Sequence, residues 1–194
     1  YVLEVSDNCD NDDIDSVFVT LSAAVADAGD DENICINETV SLTANGGVGF
    51  SWEWSSVPND PTLAGQENNQ TINVMPTTTT TYSVIVTNEC DFSASDDVEV
   101  VVTPLPIADA GQDDEICFGQ TYQLNASGAT HYQWSSVPND PSLFVGGQDT
   151  LPNPVVTPPT QVAYVYSVDV WDQCLNSASM TLTVNPVPNI SVVT

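Results

Sequence analysis

The chain has 194 residues, with no Lys and no Arg against 27 Asp plus Glu, for a formal charge of −27 at pH 7. Without cationic side chains it can neither neutralise phosphates nor settle on an anionic membrane, which excludes nucleic acid and direct membrane binding. Each carboxylate must therefore be solvated, hydrogen-bonded or paired with a bound cation. Hydrophobic residues still make up 41 %, with four Trp, six Tyr and five Phe. That is enough apolar surface for cores and too much for a disordered acidic tail. No run approaches the roughly 18 apolar residues of a membrane helix.

In chain order, "YVLEVSDNC" (1–9) and "DSVFVTLSAA" (15–24) read as two strands. They are followed by "TVSLTA", "FSWEW", "TINVM", "TYSVIVT" and "DVEVVV" between 39 and 102. These segments alternate apolar and polar residues and are separated by Gly, Pro, Asn and Asp clusters, the pattern of short half-buried strands. The series then repeats. "ADAGDDENIC" (26–35) returns as "ADAGQDDEIC" (108–117), "WSSVPNDP" (54–61) returns unchanged at 134–141, and "TYSVIVTNEC" (81–90) returns as "VYSVDVWDQC" (165–174). A period near 80 residues with six or seven short strands predicts an all-β protein of tandem immunoglobulin-like or PKD-like β-sandwich repeats. The expected boundaries are 25–106 and 107–188. Residues 1–24 are read as the last strands of a preceding repeat, because Tyr1 stands before Cys9 as Tyr82 does before Cys90. Residues 189–194 are read as the first strand of a following one.

Five cysteines occur. Cys35 and Cys90 hold the places of Cys117 and Cys174, so bridges Cys35–Cys90 and Cys117–Cys174 are expected, with Cys9 paired outside the sequence. Each would close about 56–58 residues, worth roughly 4 kcal/mol by the chain-entropy argument, and would place the protein in an oxidising, extracellular setting. Buried free thiols are the alternative, and zinc a weaker one, since no CxxC or CxxH spacing occurs. The positions of the cysteines relative to the strands put the expected staple at one end of the sandwich.

Three further groups are candidates for sites. Asp27, Asp30, Asp31 and Glu32, and again Asp109, Asp113, Asp114 and Glu115, cluster just after the Pro-rich junctions; such hard oxygen ligands suit Ca²⁺. The acidic loop Asp7–Asp15 is a second calcium candidate. An acidic run can equally be a solvated face. Trp52 with Trp54, and Tyr132 with Trp134, are two apart on a strand and share a face. They form either a core pair or a sugar-stacking platform. Asn-x-Ser/Thr triplets begin at Asn37, Asn69, Asn125 and Asn189, where turn chemistry accounts for them. The one His, His131, aligns with Ser51 and reads as a surface strand residue, so a Ser-His-Asp or Cys-His centre has no support. The chain is not expected to be an enzyme.

The segments "ADAGDDENIC", "SLTANG", "WEWSS", "MPTTTTTYSVIVTNEC" and "VEVVV" resemble the PKD-like or immunoglobulin-like tandem repeats of large Bacteroidota surface proteins. These include type IX-secreted adhesins and gliding-type surface filaments. The resemblance implies a stalk or filament whose partners are neighbouring repeats or copies of itself, with surface polysaccharide a further candidate. It also implies O-glycosylation at Asp-Ser/Thr-aliphatic motifs, here Ser16 and Thr150. A carbohydrate-binding accessory module of a secreted hydrolase is the alternative reading, and a strand-exchanging pilus a third.

Overall fold

A computed structural model describes residues 2–6, 12–16, 23–46 and 50–188. Cys9, Asn189, the segment 189–194 and Asp7 and Asp10 of the acidic loop lie outside the described residues. Strands β1 (Val2–Ser6) and β2 (Asp12–Ser16) form an antiparallel hairpin. The first full repeat contributes β3 (Glu32–Cys35), β4 (Val40–Thr43), β5 (Ser51–Val57), β6 (Thr71–Val74), β7 (Thr80–Thr87) and β8 (Ser93–Thr103). The second contributes β9 (Asp114–Cys117), β10 (Tyr122–Gln123), β11 (His131–Val137), β12 (Val155–Val156), β13 (Ala163–Trp171) and β14 (Leu175–Asn185).

The two sets are connected alike. One sheet has the order β3-β8-β7-β5 and its counterpart β9-β14-β13-β11; the second layers are β4-β6 and β10-β12. The first strand of the second four-stranded sheet runs parallel to the last, Asp114 facing Leu182 and Cys117 facing Asn185, while the other pairings are antiparallel. Isolated bridges Asp27↔Asn45 and Asp109↔Ser127 tie the entering chain to the smaller layer. This is an immunoglobulin-like sandwich, as the alternation predicts.

By compactness the chain divides into one unit of Tyr1–Glu32, Thr39–Val74 and Thr80–Val100 and another of Asn33–Glu38, Met75–Thr79 and Val101–Thr194. The first is cored by Leu42, Trp54, Ile72, Tyr82, Val84, Val86 and Val98. The second is cored by Leu124, Trp134, Leu143, Tyr164, Tyr166, Val168 and Leu182. In β13 the burial alternates strictly, Tyr164, Tyr166, Val168 and Val170 facing in, so its register is fixed by which face is apolar.

One glycine in each repeat is held by close approach. A Cβ on Gly128, whose φ is +117°, would meet the Ile107 carbonyl oxygen at 2.0 Å; on Gly46 it would meet Val86 Cγ1 at 2.5 Å. Gly128→Ala combines backbone strain with a main-chain clash and should cost about 2–4 kcal/mol. Urea unfolding checks this, and an unchanged midpoint would contradict the packing described.

Candidate functional site

The duplicated "WSSVPNDP" forms the same structure twice. Trp54 and Trp134 are buried and donate from the indole nitrogen to the carbonyls of Asn69 and Leu151, each at 3.0 Å. Ser56 and Ser136 accept from the main-chain N–H of Asp60 and Asp140, at 2.9 and 2.8 Å. Each Asp then caps a 3-10 turn that begins at Pro61 or Pro141, accepting from the N–H of Thr62 or Ser142 at 2.9 Å. This is the ordinary role of Asp before a proline-started turn. The same carboxylates accept the hydroxyls of Tyr82 and Tyr166 from the neighbouring sheet strand, the second pair at 2.6 Å. Burial, the bond to the carboxylate and its negative charge push both phenols far above their ordinary range. Burial works to raise the Asp60 carboxyl, but the bonds from Tyr82 and Thr62 outweigh it and hold the group below its usual value. In a protein without Lys or Arg, a tyrosine hydroxyl and main-chain amides are what a buried carboxylate has to work with.

The cysteines depart from expectation. Cys35 is bonded to Cys174, with Cα atoms 5.7 Å apart, while Cys90 and Cys117 are free and exposed. The expected bridges within a repeat, Cys35–Cys90 and Cys117–Cys174, are absent for a geometric reason. Cys117 faces Asn185, the last residue of β14, whereas Cys174 immediately precedes its first, Leu175. Ten residue steps along a strand separate them by about 33 Å, against the less than about 7 Å between Cα atoms that a disulfide tolerates. The strand-end cysteine and the hairpin-tip cysteine of one repeat thus sit at opposite ends of it. Cys174 lies instead beside the end of β8, its sulfur 3.6 Å from the Thr103 carbonyl oxygen. Ile36 donates to that same carbonyl at 2.9 Å. Thr103 bonds Gln173 at 3.2 Å, and Asn176 donates to the Pro106 carbonyl at 2.9 Å. Both cysteines and these neighbours belong to the second compact unit.

The aromatic pairs on β5 and β11 divide differently. Trp54 and Trp134 are core, and Trp52 and Tyr132 lie half-buried on the same inward side. The Trp52 indole nitrogen is buried and, among the described residues, has no hydrogen-bond partner. On the outer face of β11 and β13, His131 stacks on Trp171 with ring centroids 5.5 Å apart and planes 16° from parallel. Cross-strand register puts them directly opposite each other. Beside them a shallow depression of about 410 Å³ is lined by Gln133, Asp169, Trp171, Gln173 and Leu175. Ser51 and Thr87 hold the equivalent places in the first repeat, which therefore lacks this surface.

Residues 22–104 match the family described as "Ig-like domain CHU_C associated". The match spans the first repeat, which is similar to Ig-like domains of that description. The second repeats its strand order and its internal bonds. Ig-like domains of this kind are structural or adhesion-type modules and typically non-catalytic. No curated protein matches the chain. Among solved structures it is similar to the I-band fragment I67-I69 from titin, with a TM-score of 0.44 and 13 % identity over 86 % of this chain and 67 % of that one. It is similar to the insect immune protein hemolin, with TM-score 0.45, 12 % identity, 96 % and 56 % covered. It is also similar to fibronectin(III)-like modules of CbhA from Clostridium thermocellum, with TM-score 0.37, 9 % identity, 88 % and 100 % covered. At such identities none of these bears on what this chain does.

Five of the eight clustered acidic residues bond main-chain N–H groups. Asp27 and Asp109 accept from the N–H groups of Gly29 and Gly111, at 3.0 and 2.9 Å. Asp31 accepts from Glu99 N–H at 2.9 Å and Asp113 from Thr181 N–H at 2.6 Å, pinning the entering segment to the edge of the sheet. Asp114 caps Glu115 N–H at 2.8 Å, Glu115 accepts from Asn185, and Asp30 and Glu32 are exposed. Among the described residues no three acidic, His or Cys side chains converge to hold a metal ion. Ser16 and Thr150 are both exposed. Asn37 adopts φ +71° in the turn after β3, as a turn asparagine does. Sequence reasoning missed the Asp–Tyr bond and the outward aromatic stack. The first was signalled by the joint recurrence of Asp60 with Tyr82 and of Asp140 with Tyr166; the second, being unrepeated, had no such signal.

Proposed function

We propose that the chain is a structural segment of a long extracellular tandem-repeat filament or adhesin stalk on the surface of a bacterium of the Bacteroidota, exported by type IX secretion. The observation that supports this best is the Cys35–Cys174 bond, which ties a cysteine of one Ig-like repeat to a cysteine of the next. Such a bond serves continuity between repeats and contributes nothing to a reaction. Uniform negative charge keeps neighbouring strings apart and soluble, and stacked repeats give reach. Ser16 and Thr150 are the proposed glycan carriers; an intact mass equal to that of the bare sequence would remove them. Antibody raised against the chain should decorate extended, beaded filaments on unpermeabilised cells, and purely intracellular labelling would refute the proposal.

The His131–Trp171 stack favours a second reading, in which the second repeat binds polysaccharide on its outer face. Saturable quenching of tryptophan fluorescence by a soluble glycan, abolished by Trp171→Ala, would support that reading. Quenching that survives the substitution would exclude it.

A further inference from the structure

We propose that Cys90 and Cys117 are halves of two further inter-repeat disulfides that follow one head-to-tail rule. The strand-end cysteine of each Ig-like repeat bonds the hairpin-tip cysteine of the repeat that follows it. The observed Cys35–Cys174 bond is one instance. Under the rule Cys117 takes the hairpin-tip cysteine of the next repeat in the same chain, and Cys90 takes the strand-end cysteine of the repeat before.

Three observations carry this beyond the presence of free thiols. First, Cys117 stands in the local structure of bonded Cys35. Their N–H groups donate to Gln120 and Glu38 at 2.9 and 2.8 Å, and the next residues, Phe118 and Ile36, donate to Asn185 and Thr103 at 2.8 and 2.9 Å. Cys90, like bonded Cys174, occupies the tip of the hairpin between the last two strands, with its N–H held by Asn88 at 2.9 Å. Second, β14 holds Cys117 and Cys174 about 33 Å apart, so neither can find a partner inside its own repeat. Third, both thiols are exposed, as open ends of such a series must be. The hairpin β1–β2, with Cys9 between its strands in the sequence, would on this rule belong to one more repeat.

Each bond forms by thiol–disulfide exchange with an oxidising disulfide. The two thiols lose two protons and two electrons, one S–S bond forms, and the donor disulfide leaves as two thiols. The proposal deepens the array reading above and rests on it for the existence of a next repeat.

The test uses the chain as given, its Cys35→Ser variant, and the chain extended by a copy of residues 107–188. All are oxidised with glutathione disulfide, alkylated and cut at acidic residues for mass spectrometry, since trypsin has no site. The unextended chain should yield a Cys35–Cys174 peptide and alkylated Cys90 and Cys117. The extended chain should convert Cys117 almost completely to a bond with the hairpin-tip cysteine of the added copy. Alkylated Cys117 in that chain, with Cys35–Cys174 formed, would overturn the rule. Cys35→Ser examines the geometry with no added repeat: Cys174 should become alkylatable. A Cys117–Cys174 bond there, or a Cys35–Cys90 bond in the parent, would overturn the proposal while leaving the filament reading open to its own test.

Discussion

Asp140→Ala should destabilise the second repeat by about 3 kcal/mol, the sum of a lost cap and a buried hydroxyl left without its acceptor. Asp140 is fully buried, and its carboxylate accepts from Tyr166, from the Ser142 N–H and from the Ser142 hydroxyl. Truncation leaves the Tyr166 hydroxyl stranded between layers and opens a void beneath the 3-10 turn. Tyr166→Phe removes the donor instead and should cost less, about 1.5–2 kcal/mol, because the cap survives. The double variant should then fall short of the sum by about 1–2 kcal/mol, since each substitution removes the same bond. Urea unfolding of the four proteins reads this cycle, and strict additivity would show that the Asp–Tyr contact contributes nothing. Asp140→Asn, which keeps an acceptor for the cap but loses the charge, should lie between wild type and Asp140→Ala.

Stability should also rise with salt, and at low salt with mild acid, opposite to the usual acid response. Twenty-seven carboxylates without one Lys or Arg repel in the folded state. The unfolded chain spreads the same charges over a larger volume. At 0.01 M salt the screening length is about 30 Å, at 1 M about 3 Å, so added salt removes most of this repulsion. A gain of about 1–2 kcal/mol per repeat corresponds to a midpoint shift on the order of 5–10 °C. The effect should follow ionic strength and not the identity of the cation.

Protonation acts on the same repulsion. As pH falls through the ordinary carboxylate range near 4, charge is lost and the fold gains. Asp60 opposes this at the lower end. Its folded carboxyl sits below the ordinary value, so its contribution is complete above that value and is lost as pH falls through the folded one. At low salt the melting midpoint should therefore pass through a maximum near pH 4 and then decline. A monotonic fall from pH 7 downward would show that repulsion is not the dominant electrostatic contribution.

The strands and the repeat were legible because both are periodic. Alternation over 81–87 and 165–171 places Tyr82, Val84 and Val86, and Tyr166, Val168 and Val170, on inward faces, and the structure buries all six. The disulfide was not legible, because each repeat contains two cysteines and equal occurrence suggests pairing within it. What decides the matter is the eleven-residue length of β8 and β14, which turns sequence neighbours into opposite ends. Asp60 and Asp140 stand in the repeated phrase, but their pairing with a tyrosine 22 or 26 residues away is visible only in three dimensions. The acidic residues illustrate the converse. Their clustering after the junction was visible, but Asp27, Asp31, Asp109, Asp113 and Asp114 each answer a main-chain N–H that no sequence pattern displays.

Cys35 and Cys174 are separated by 139 positions. For a chain pulled from its two ends, the shortest covalent route runs from residue 35 to residue 174 across sulfur, and the polypeptide between them carries no tension. About 470 Å of contour is thereby withheld from extension, even after every hydrogen bond in that loop has broken. The string stays short when its sandwiches melt, and lengthens only when a reductant reaches the bond.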